Sequence, residues 1–151
     1  MCTMPDTLWD SAARDRLIMR LGKLRPESPA QWGKFNAPRM LAHVTDWMRM
    51  AAGELTTAPR HSMLRLAPVR HLVIHYLPFP KGVPTAPELL ARAPDEWSAE
   101  CSLLRGYLER FESTHRAIGF PEHPAFGALS PEAWGVLGYR HTDHHFRQFG
   151  I

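Results

Sequence analysis

Four stretches of the chain repeat apolar residues at three- and four-residue spacing, and none alternates with the two-residue period of a half-buried strand. The first spans about 7–24, with Leu17, Ile18, Leu21 and Leu24 on one stripe, and ends at RPESPAQWG, where Pro26 and Pro29 forbid continuation. The second opens on Asn36 as N-cap with Pro38 in its first turn, and carries Met40, Val44, Trp47 and Ala51 to about position 55. The third covers about 95–118, with Asp95 as N-cap, Trp97, Cys101, Leu104, Leu108 and Phe111 on its buried face, and Gly119 closing it. The fourth opens on SPEAW, with Ser130 as N-cap and Pro131 at the first helical position. It continues through Trp134 and Leu137 to about 149, where Gly150 follows.

Residues 56–94 break the pattern. They hold a shorter apolar stretch at about 62–77, interrupted by Pro68, and then LPFPKGVPTAPELLARAP, with prolines at 78, 80, 84, 87 and 94. A connection this long inside one domain is functional or required by the topology. With no internal repeat and no composition shift, the chain reads as a single all-α domain over 1–151: a four-helix bundle with one long connection between its second and third helices.

Composition narrows the class. A chain of 151 residues with 44% apolar and 22% charged residues can bury a core of its own. The longest uncharged stretch, HLVIHYLPFP, is too short to span a bilayer, so no membrane partner is expected. The opening MCTMPDTLWD has neither a basic n-region nor an apolar h-region, and Cys2 and Cys101 form no disulfide framework, which together predict a cytoplasmic, reduced protein. The net charge is only +3 and no basic–aromatic run occurs, which argues against a nucleic-acid partner. One asymmetry remains. No acid lies between Glu54 and Glu88, whereas Arg60, Arg65, Arg70 and Lys81 all do: either a solvated face or a rim that draws in an anion.

The candidate chemistry lies in RHTDHHFRQFG at 140–150. At roughly 100° per residue, His141 and His145 project within about 20° of Trp134, one turn apart, whereas His144 points about 80° aside. Two histidines at i, i+4 on an apolar face can chelate one metal ion. His43, between Met40 and Trp47, is the third ligand candidate, although a lone histidine there is ordinarily packed core. His43 stands about six residues after its helix start, and His141 and His145 about eight and four before the end of theirs; at a rise of about 1.5 Å these levels match only if the two helices run antiparallel. An up-down-up-down bundle would offset them by roughly 6–12 Å. Up-down-down-up, with 56–94 as the crossover, removes the offset. His71 and His75 form a rival i, i+4 pair read as structural, while His61, His115 and His123 read as surface or loop residues.

His43 with His141 and His145 resembles the metal triad of the DinB/YfiT-like superfamily, and HPAFGALSPEAWGVLGYRHTDHHFRQFG and PFPKGVPTAPEL resemble an uncharacterised branch of it. The resemblance implies a crossover four-helix bundle, a divalent ion on three histidines, and a homodimer. Some superfamily members act with a thiol, as mycothiol-dependent maleylpyruvate isomerase and bacillithiol S-transferases do, so metal-assisted thiol transfer or hydrolysis is the implied enzyme class.

Three imidazoles leave a coordination position open, as catalytic sites do, and suit zinc, nickel, copper or ferrous iron, with manganese also compatible; zinc and nickel lead. Asp46, one turn past His43, is a candidate general base or ligand-orienting group, and Gln148, beyond His141 on the same helix face, could reach the pocket. Trp47 and Trp134 are core or pocket lining, and Lys81 is a candidate for binding the anionic group of a small-molecule partner such as a thiol. The alternative is a non-catalytic dimeric bundle that binds metal or ligand.

Overall fold

Side-chain caps set where the helices begin. In the computed structural model, which describes residues 5–82 and 85–151, Asp10 accepts from the Ala12 amide and opens α1 (Ser11–Leu21), later than expected because Thr7–Asp10 forms a separate turn. Asn36 accepts from the Arg39 amide at 2.9 Å and opens α2 (Ala37–Ala51), as its position in the sequence suggests. Gly53, at φ +75°, turns the chain away before position 55. Ser130 accepts from the Ala133 amide and, with Pro131, opens α6 (Pro131–Gln148).

The expected third helix is divided. Glu96, not Asp95, caps α4 (Trp97–Glu109), and Arg110, at φ −96° and ψ 6°, separates it from α5 (Phe111–Ile118). Asp95 is diverted because its backbone amide donates to Glu100. The connection from α2 to α4 contains α3 (Ala67–His75) and 3-10 turns at Met63–Arg65 and Pro87–Leu90. Among the described residues there are six α-helices and no strand, only an isolated bridge between His123 and Gly127. None of these helices is long and apolar enough to cross a membrane. Cys2 and Pro84 lie outside the described residues.

The core joins Leu8, Leu17 and Leu24 to Met40, Val44 and Trp47 of α2, Leu104 and Leu108 of α4, and Trp134 and Phe146 of α6. Long-range contacts give each helix pair a direction. Leu8 donates its amide to Gly135 and Arg20 reaches Asp143, so α1 and α6 run in one sense. His43 meets His145 while Trp47 meets Trp134, so α2 and α6 run in opposite senses. Arg92 joins Asp46 to Glu100 and Tyr107 donates to Glu54, so α2 and α4 advance together. Close approach along α6 needs glycine: a Cβ on Gly138 would lie 2.6 Å from Leu8 Cδ1 and 3.0 Å from the Trp47 ring.

Candidate metal centre

Antiparallel pairing of α2 and α6 brings three imidazoles to one level. His43 is 3% exposed on α2, and its ring lies 5.0 Å from His141 and 4.8 Å from His145, centroid to centroid. One ring nitrogen from each of the three lies within 4.8 Å of the others, a group that could hold a metal ion. The second nitrogens of His43 and His145 are engaged by the protein. His43 Nδ1 faces the Leu89 carbonyl at 3.1 Å, which requires the proton on Nδ1 and leaves the Nε2 lone pair free. Gln148 donates its Nε2 to the Trp32 carbonyl, which turns its Oε1 toward His145 Nδ1 at 2.9 Å and fixes the same tautomer there.

His141 differs. Its Nε2 lies 3.1 Å from His43 Nε2, and its Nδ1 is buried with no partner. A gap that short between two ring nitrogens holds a proton or a cation, because two facing lone pairs repel. Since the proton of His43 is on Nδ1, the pair needs either a proton from His141 or a metal. Two nitrogens bound at about 2.0–2.1 Å in a tetrahedral site stand about 3.3 Å apart, which is close to the spacing of the His43–His141 pair. An unsatisfied buried polar atom such as His141 Nδ1 costs about 1–3 kcal/mol and calls for a reason such as a functional one.

Burial keeps all three rings uncharged. It pushes His43 below its ordinary value, against the Leu89 hydrogen bond and the Asp46 charge, which act the other way. It carries His145 down to about 3 with the help of His43, and His141 well below the usual range with the help of both neighbours. Neutral imidazoles are the ligating form. Trp47 stacks on His141 at 5.3 Å and Phe35 on His43 at 5.3 Å, so aromatic faces wall the cluster.

No protein-family model, curated protein or solved structure matches the chain, so its chemistry rests on its own geometry.

The other candidates fall in different places. Asp46 is 1% exposed, and its Oδ1 accepts from Arg49 and Arg92, at 3.1 and 2.9 Å, with no hydrogen bond to a histidine among the described residues. Gln148 orients His145 instead of facing a pocket. Trp47 and Trp134 are buried core and present no surface to a substrate. His144 lies off the cluster, against the rings of Trp32 and Phe79. The Arg65 and Arg70 guanidiniums reach the carbonyls of Pro124 and Phe126, and the Arg60 backbone amide also donates to Pro124. Only Lys81 of that group stands beside His144, across a shared cavity.

His115 and His123, expected on the surface or in a loop, are both buried, His115 on α5 and His123 within a loop. His115 stacks on Phe120 with centroids 4.1 Å apart, and His123 Nδ1 accepts from the amides of Ala125 and Phe126, which folds its loop inward. His71 and His75 pair at 4.6 Å on α3, with no third histidine, cysteine or carboxylate completing a set among the described residues. Two contributors had no sequence signal. Phe35 precedes α2, and the Leu89 carbonyl is a backbone atom of the connection between α2 and α4.

Proposed function

We propose that the chain is a divalent-metal protein of the DinB/YfiT-like kind, with His43, His141 and His145 as ligands. The observation that carries this reading is the pair of fixed tautomers. Leu89 and Gln148 hold the Nδ1 protons of His43 and His145, leaving both Nε2 lone pairs for an ion shared with His141. The senses of the helix pairs support an up-down-down-up bundle of α1, α2, α4 with α5, and α6, joined by the 52–96 crossover.

A divalent ion, zinc or nickel first, supplies Lewis acidity at such a site and lowers the pKa of a water or thiol. Three neutral ligands leave its charge uncancelled, which suits an anionic nucleophile; the activity proposed is therefore transfer or hydrolysis on a small molecule. The chain's own residues orient and shield. Leu89 and Gln148 fix the ring planes, Trp47 backs His141, and Phe35 covers His43 and His145.

Elemental analysis of the protein purified without an affinity tag tests the reading. We expect one divalent ion per chain, removable by chelator, lost in His141→Ala and kept in His144→Ala. Metal-free protein that takes up no divalent ion on dialysis would overturn the reading.

A further inference from the structure

A cavity of about 380 Å³ opens on the outer side of α6, with Trp32, Phe79, Lys81, Arg140, His144 and Arg147 around it. Its charges are unbalanced. Asp143 is the one carboxylate in the lining, and it is already committed to Arg20 at 2.6 Å and Arg147 at 2.8 Å. Arg140 spends its donors on the carbonyls of Val73, Ile74 and Leu77, where it closes the end of α3 without neutralising its charge. Lys81 meets no carboxylate among the described residues, and its ammonium rests 4.3 Å from the centre of the Trp32 ring. Arg140 likewise lies over Phe79, 4.6 Å from the ring centre. Aromatic faces thus hold two cations in place while cancelling neither, since a ring quadrupole carries no net charge.

We infer that this cavity is a binding site for a small anion with a planar apolar body, such as an aromatic carboxylate. The anionic group meets Lys81 and the outer face of Arg147, which is bound to Asp143 through Nε. The apolar body lies against Trp32 and Phe79, whose rings flank His144 at 5.8 and 6.0 Å. Neither half of the site depends on an ion at the histidine cluster, so it is tested apart from that reading. The two are nonetheless neighbours: the His144 ring is 5.2 Å from that of His145, and the Trp32 carbonyl accepts from Gln148. Along α6 the stripe Arg140, His144, Arg147, with a cation at either end, is offset from the His141, His145 stripe, so one helix serves both sites.

Benzoate is the probe, with benzamide as its neutral counterpart and acetate as the anion without a ring. Each is titrated into full-length protein, chelated and zinc-loaded, with the Trp32 indole and the α6 amides followed by NMR. Benzoate should bind the chelated protein, shift the Trp32 indole, and outcompete benzamide and acetate. Its affinity should fall as ionic strength rises from about 0.05 to about 0.5 M. Lys81→Ala, on an exposed side chain, should weaken it about fivefold without changing the fold. Equal binding of benzoate and benzamide, or unchanged affinity in Lys81→Ala, overturns the inference. Benzoate binding to the zinc-loaded protein alone also overturns it, because the carboxylate is then at the cluster; that result leaves the metal reading in place.

Discussion

Replacing Gln148 by Leu removes the oxygen that holds the His145 Nδ1 proton at 2.9 Å while keeping the side-chain bulk. Second contacts of this kind typically set metal affinity by about 10–100-fold, so Gln148→Leu should weaken zinc binding by that order with helix content unchanged. Gln148→Glu keeps an acceptor and should recover most of the loss; unchanged affinity in the leucine variant would mean that His145 is not a ligand. His123 carries a pH prediction for the metal-free protein. Burial holds its pKa down to about 3, with the Arg65 charge adding to the effect, so the unfolded chain takes up a proton that the folded one refuses. Its contribution is complete above about pH 6.5 and is lost as pH falls from there toward 3, at up to about 1.4 kcal/mol per unit. His123→Asn supplies an oxygen to the same two amides without titrating. Denaturation at pH 7 and pH 5 should therefore show a shallower loss in the variant, and equal slopes would rule His123 out as the source. The separation of His144 from His141 and His145 was legible from helical phase alone. The tautomers were not, because they depend on a backbone carbonyl and on an amide fixed by Trp32.

The starts of α2 and α6 followed from Asn36 and from Ser130 with Pro131, whose caps act locally. The division between α4 and α5 did not. LERFES contains no glycine or proline, and the break lies at Arg110, whose guanidinium folds back over Gly106, where a Cβ would sit 2.9 Å from Nη2. That glycine, four residues upstream, was the one available sign. Gly138 tests packing along α6. An alanine there gains about 1 kcal/mol of helix propensity but overpacks against Leu8 and Trp47, a penalty of about 1–3 kcal/mol. Gly138→Ala should lower stability by up to about 2 kcal/mol in urea denaturation. It should also weaken metal binding, since Trp47 backs His141. A stabilised variant with unchanged affinity would show that α6 has room to shift.

At the scale of the whole molecule, the connection between α2 and α4 is tied to both helices at the level of the histidines. Arg92 joins Glu100 at 2.7 Å, Asp46 at 2.9 Å and Asp95 at 3.3 Å, and this anchors the turn whose Leu89 carbonyl meets His43. Burial disfavours the charge of Glu100, but the Arg92 and Asp95 hydrogen bonds outweigh it and hold the carboxyl below its ordinary value. Removing one partner of a buried pair costs about 3–5 kcal/mol, so Arg92→Ala should be strongly destabilised and cleaved faster by protease around 86–94. Wild-type stability in that variant would contradict the anchoring. The opposite senses of α2 and α6 were readable from matching the levels of His43 and His141. The ionic clasp was not, because Asp46, Arg92 and Glu100 meet only after the long connection folds back. The proposed site is three histidines sharing one ion, and titration of the metal-free protein with cobalt(II) measures this directly. Wild type and His144→Ala should develop visible tetrahedral absorption that saturates at one equivalent, and His43→Ala, His141→Ala and His145→Ala should each lose it. Retention of that absorption in His141→Ala, or its equal loss in His144→Ala, would contradict the site.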